Sequence, residues 1–179
     1  MNEYLFYLLN SLAHKNQLLD HVFVFLASYL GFVFIIAMAF YIILSSRETR
    51  EKRNQLALLI GALIVATMGW ALISLFVKDI YYSPRPPLLL NDISVLLPDH
   101  KTVDSFPSGH TTFFFTLAFL LYEENKRWGR AALLIALVVA LSRIAVGVHW
   151  PSDIFGGIIF AGIIALLTRP LVKKLRAYF

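Results

Sequence analysis

Cysteine is absent from the 179 residues, which rules out a disulfide framework and leaves the redox compartment unmarked. Charge is scarce too, with Asp, Glu, Lys and Arg making up 15% of the chain, against about 25% in an ordinary soluble domain. No basic segment or small-residue cleavage site precedes the first apolar run, so a cleaved signal peptide is not expected. Strict apolar/polar alternation is missing as well, which argues against a membrane β-barrel.

Apolar residues are what the chain has in excess. They form 59% of it, and mean hydropathy is +0.71, beyond the roughly half that is usual for soluble domains. They gather in runs at 22–44, 55–77, 107–122, 131–148 and 154–168, and a hydrocarbon core takes about 20 residues of helix. Backbone groups in lipid must be bonded internally. The expectation is therefore all-α: one membrane-embedded domain over 1–179, a bundle of about five transmembrane helices. The first twenty residues mix Tyr, Phe and Leu with Asn, His, Lys and Asp, as a helix lying in the interface would.

The formal charge of +5 could suggest a nucleic-acid partner, but its distribution argues for topology instead. Arg47, Arg50, Lys52 and Arg53 fill one short loop, Lys126, Arg127 and Arg130 a second, and Arg169, Lys173, Lys174 and Arg176 the tail. Helix parity puts these on one face, which the positive-inside rule makes cytoplasmic. The partners expected are the bilayer and a lipid substrate, with no nucleic acid.

The opposite face keeps a few cations, and they coincide with polar motifs. KDIYYSPRP carries Lys78 and Arg85, PSGH ends in His110, and SRIAVGVHWPSD carries Arg143, His149 and Asp153. Taken singly, each has a bland reading. Lys78 could be a snorkelling anchor, Arg85 a turn residue, and Ser108 a plain N-cap. His149 and Asp153 could be a surface pair or an i, i+4 metal pair. Arg143 resists dismissal, because an arginine among apolar helix residues costs about 2.5–3.5 kcal/mol to insert. His14, Lys15, His21, His100 and Lys101 read as interfacial or loop residues.

Together, Lys78, Arg85 and Arg143 suit a polyanion, and the arginine fork matches phosphate oxygens. A helix start with small Ser108 and Gly109 lets an anion approach backbone N–H groups. Two imidazoles ask for more than binding. One neutral imidazole can attack phosphorus if a carboxylate fixes its tautomer, and the other can protonate the leaving oxygen. On this reading His149 is the nucleophile, Asp153 its orienting group and His110 the general acid, with no metal and no cofactor. A non-catalytic phospholipid carrier would use the same cations but gives no reason for the His149–Asp153 pair.

The ordered set K-x6-RP, PSGH and SR-x5-H-x3-D resembles the signature of the type 2 phosphatidic acid phosphatase (PAP2) superfamily of membrane lipid phosphatases. It is matched at Lys78, Arg85, Pro86, Pro107, Ser108, Gly109, His110, Ser142, Arg143, His149 and Asp153. The resemblance implies a metal-independent phosphatase working through a phosphohistidine on His149, at the outer face of a bacterial-type inner membrane. Compact size and the opening stretch SLAHKNQLLDHVFVFLASYLG are similar to undecaprenyl pyrophosphate phosphatases of the bacitracin-resistance type. Lipid A 1-phosphatases and phosphatidylglycerophosphate phosphatases share the motifs. The amphipathic stretch 88–104 is expected to border the headgroup site.

Overall fold

The computed structural model describes residues 2–45, 49–97 and 104–177, with the side chains of 45, 49, 78, 79 and 175–177 outside the described set. Among the described residues eight helices follow in chain order: α1 (Asn2–Asn10), α2 (Gln17–Ser28), α3 (Leu30–Ser45), α4 (Thr49–Ile80), α5 (Pro86–Leu89), α6 (Gly109–Glu124), α7 (Lys126–Ala145) and α8 (Pro151–Ala177). Among the described residues the one β-type pairing is an isolated parallel bridge between Ser83 and Asp104.

The bundle is built around α6, which packs against α4, α7 and α8. Its sequence is apolar on every side, as a helix enclosed by others should be, and Thr111, Thr112 and Phe114 through Ala118 are all buried. Small residues bring the helices close, as they do in membrane bundles. A Cβ on Gly129 would lie 2.1 Å from Tyr122 Cα, and one on Gly157 would lie 3.1 Å from the Ser108 carbonyl oxygen. The outer surface is apolar as well. Ile36, Phe40, Leu44, Ile64, Met68, Leu72, Leu166 and Leu167 are exposed, which suits lipid and not water.

Helices α4, α7 and α8 are each long and apolar enough to cross a membrane, and α2 with α3 would make a fourth span. The single helix expected over 22–44 is in fact this pair, bent by 59° at Tyr29. The bend lets α2 lean on α7, with Ala27 buried against Val146 and Val148, while α3 turns to run beside α4 and α7. Hydropathy alone carries no record of such a turn. At 16 residues, α6 is about 24 Å long, short of a hydrocarbon core of about 30 Å.

The N-terminal helix expected over 1–20 is likewise divided, into α1 and the start of α2. Phe6 is fully buried, its ring centroid 5.2 Å from that of Trp150, and α1 lies on α7 and α8. Asn10 is the clamp. Its Nδ2 donates to the carbonyls of Ser94 (2.7 Å) and Ala145 (3.0 Å), and its Oδ1 accepts the Ser94 N–H at 3.0 Å. Leu96 and Leu97 pack on Val146 and Val148 beside it. The described part of the 88–104 stretch is thus strapped to the end of α7, while 98–103 lie outside the described residues. Replacing Asn10 by Ala would orphan three backbone groups, at about 1–3 kcal/mol for a buried unsatisfied group. Thermal unfolding in detergent should show a clear loss for Asn10→Ala.

Candidate active site

Asp153 occupies the first turn of α8, after Pro151 at a position proline favours. From there Oδ2 accepts the Trp150 N–H at 2.8 Å, the reach-back of a capping box. The same oxygen accepts the Ser105 hydroxyl and faces His149 Nδ1 at 3.3 Å. His149 and Asp153 are only 2% and 1% exposed. One carboxylate oxygen therefore caps a helix, anchors the 104–108 segment and sets an imidazole.

The far side of that imidazole settles its tautomer. Arg85 Nη1 lies 3.3 Å from His149 Nε2, and a guanidinium can only donate. Nε2 therefore carries the lone pair and Nδ1 the proton, aimed at Asp153. Arg85 is held in place by its own donations, from Nη1 to the Val148 carbonyl at 2.8 Å and from Nη2 to the Asp104 carbonyl at 3.2 Å. Burial pulls its guanidinium below the ordinary arginine range, and the carboxylates of Asp153 and Asp104 act against that.

Arg143 lies in the last turn of α7 and is 2% exposed. The helix ends at Ala145, and Gly147 turns the chain with φ of +84°, where a Cβ would lie 2.3 Å from the Ser94 carbonyl oxygen. Val148 N–H then donates back to the Arg143 carbonyl at 3.2 Å, which folds His149 over the helix end. Arg143 and Arg85 are close enough for their charges to repel. Two guanidinium groups gathered in a buried space make a place for an anion.

PSGH starts α6 as the spacing predicts. Ser108 is its N-cap, accepting from Thr111 N–H, and its own N–H donates to the Asp153 carbonyl at 3.1 Å. That bond joins the α6 start to the α8 start. The Phe106–Pro107 peptide before it is cis. The side of Gly109 that lacks a side chain faces Trp70, whose Nε1 would stand 2.6 Å from a Cβ there. His110 is half-buried and lines a cavity of about 300 Å³ with Phe32, Thr67, Trp70, Gly109, Phe113 and Phe114. Lys78 lies near the end of α4, and its side chain is outside the described residues. Among the described residues no group of three or more His, Cys, Asp or Glu could hold a metal ion. The metal-pair reading of His149 and Asp153 finds no third ligand there.

Residues 55–177 match the family model described as the PAP2 superfamily. The chain belongs to the PAP2 superfamily. It is 28% identical over 178 residues to an undecaprenyl-diphosphatase, BcrC, of Bacillus subtilis, covering 99% of this chain and 88% of that one. A lipid A 1-phosphatase of Rhizobium etli is 39% identical over 72 residues, 38% of this chain and 30% of that protein. The crystal structure of Aquifex aeolicus LpxE superimposes with a TM-score of 0.69 at 31% identity, covering 93% of each chain. This PAP2 chain is a membrane lipid phosphatase, a hydrolase acting on lipid phosphates.

The PAP2 bundle separates this site from the basic residues of its other end. Arg50 and Glu51 at the start of α4 share a cavity with Glu124, Asn125 and Trp128 at the α6–α7 turn, and Arg169 of α8 pairs with Glu123 at 2.8 Å. Those contacts mark one end of the bundle, and the N-termini of α6 and α8 with the C-terminus of α7 mark the other. Three supporting residues escaped the sequence reading. Ser105 and Trp150 hold Asp153, and Trp150 Nε1 also donates to the Pro84 carbonyl at 2.9 Å, fixing the segment that presents Arg85. Trp70 covers Gly109. Only the Trp150–Pro151 step, a helix start beside His149, gave a local signal.

Proposed function

We propose that this phosphatase removes the terminal phosphate of a polyprenyl pyrophosphate, undecaprenyl pyrophosphate in the first place, at the outer face of a bacterial-type inner membrane. The observation that carries the chemistry is the His149 ring, with Nδ1 toward Asp153 and Nε2 toward Arg85. Nε2 attacks phosphorus, the bond from phosphorus to the leaving oxygen breaks, and His110 gives that oxygen a proton. Water then loses a proton to His110 and attacks the phosphohistidine. The P–N bond breaks, inorganic phosphate leaves, and His149 returns to its starting state. Lys78, Arg85 and Arg143 hold the phosphoryl oxygens, with the α6 start at Ser108 and Gly109 adding its N–H groups.

The substrate reading draws on the Bacillus subtilis undecaprenyl-diphosphatase, similar along nearly the whole chain. Sidedness draws on the basic residues at the end of the bundle opposite His149. A second reading, lipid A 1-phosphatase, is favoured by the local likeness to the lipid A 1-phosphatase of Rhizobium etli. The deciding experiment is phosphate release by the purified protein in mixed micelles with EDTA, from undecaprenyl pyrophosphate, lipid A, phosphatidylglycerol phosphate and phosphatidic acid. The expected result is release that survives EDTA, stops with vanadate and is fastest on undecaprenyl pyrophosphate. Fastest release from lipid A would establish the second reading, and activity lost to EDTA would overturn the mechanism.

A further inference from the structure

The cavity beside His110 is walled by α3, α4 and α6 and is apolar almost throughout. Phe32, Phe113 and Phe114 supply rings, and Phe114 stands edge-on to both of the others, with centroids 5.5 and 5.0 Å away. Thr67 gives its hydroxyl to the Leu63 carbonyl of its own helix at 2.9 Å and so offers the cavity no free donor. Two polar groups remain on the wall, the His110 ring and the Trp70 indole N–H. Among the described residues that N–H has no acceptor from the protein, and the Trp70 side chain is 45% exposed. Its Nε1 and Cδ1 would stand 2.6 and 2.8 Å from a Cβ on Gly109. Glycine at the first residue of α6 therefore makes room for a nitrogen donor beside the positive end of a helix.

We infer that Trp70 is a substrate-contacting residue that selects diphosphate-linked lipids, its N–H donating to the phosphate left on the lipid and its ring packing on the first carbons of the chain. The inference rests on the phosphatase reading above and deepens it. If His110 protonates the leaving oxygen, the rest of the leaving group begins at His110, and the space that opens there is this cavity. A volume of about 300 Å³ has room for on the order of ten methylene-sized groups, enough for the first units of a prenyl chain. Aromatic walls suit planar, unsaturated units. A pyrophosphate substrate leaves as a lipid monophosphate, so negative charge stays at the cavity mouth after the P–O bond breaks. An apolar cavity with no donor would reject that charge. Trp70 supplies one where it is needed. A monophosphate lipid leaves as an alcohol and needs that donor far less.

The test compares wild type, Trp70→Phe and Trp70→Ala on farnesyl diphosphate, dodecyl monophosphate and p-nitrophenyl phosphate, with thermal unfolding to confirm each fold. Phenylalanine keeps the ring and removes the donor. Trp70→Phe is expected to lower kcat/KM for farnesyl diphosphate about tenfold relative to dodecyl monophosphate. Trp70→Ala is expected to add a rise in KM for both lipid-chain substrates. An unchanged diphosphate-to-monophosphate ratio in Trp70→Phe would overturn the assignment, as would an equal fall on all three substrates. Wild-type protein that releases phosphate from none of the three overturns the phosphatase reading as well. Active wild type with an unchanged ratio removes Trp70 alone.

Discussion

His149→Ala is expected to abolish turnover, with kcat falling by at least about 10⁴-fold, the scale on which nucleophile deletions act. The fall should be a loss of chemistry and not of fold. Asp153 keeps Ser105 Oγ and Trp150 N–H as donors when the imidazole is gone, and the cap of α8 does not depend on the ring. Rapid quenching with labelled lipid should trap an acid-labile phosphoenzyme in the wild type and none in His149→Ala. A trapped phosphoenzyme in the variant would remove His149 as nucleophile. Asp153→Asn offers a contrast, because an amide can face Nδ1 with its N–H and favour the wrong tautomer. It also weakens the acceptor that Trp150 and Ser105 share, so its activity loss should come with a lower melting temperature.

The parts of the site that the sequence disclosed are those whose local chemistry conflicts with their surroundings. Arg143 stands out because apolar residues flank it, and PSGH because it sits at the mouth of a greasy run. Their convergence was readable too, since helix parity places the motifs at one end. What stayed hidden was carried by tertiary contacts with no local pattern. Asn10 is one polar residue in a mixed segment, and only its bonds to Ser94 and Ala145 show it to be a clamp. Trp70 is one aromatic in an apolar span, and nothing within α4 records that it faces Gly109 on another helix. The bend at Tyr29 was concealed because hydropathy sums over residues and is blind to direction. Gly109 illustrates the limit well. Its smallness was legible, and the indole that occupies the space was not.

Arg143→Leu is the second large effect expected, with activity falling about 10³-fold, at the upper end of what removal of one oxyanion donor costs. Arg143 is buried beside Arg85, and a leucine of similar reach fills its place without offering the phosphoryl oxygens a donor. Arg143→Leu should still unfold cooperatively on heating in detergent while being nearly inactive. Vanadate should separate the two proteins further. Bound to the native state alone, it raises the melting temperature of the wild type in proportion to ln(1 + [L]/Kd), and the shift should shrink sharply in Arg143→Leu. Arg143→Lys keeps the charge but not the fork, and it should recover part of the vanadate shift and about a tenth of the lost activity at most. A variant without Arg143 that kept wild-type turnover and the full vanadate shift would show that Arg85 and Lys78 hold the phosphoryl group alone, with Arg143 serving only the packing of the α7 terminus.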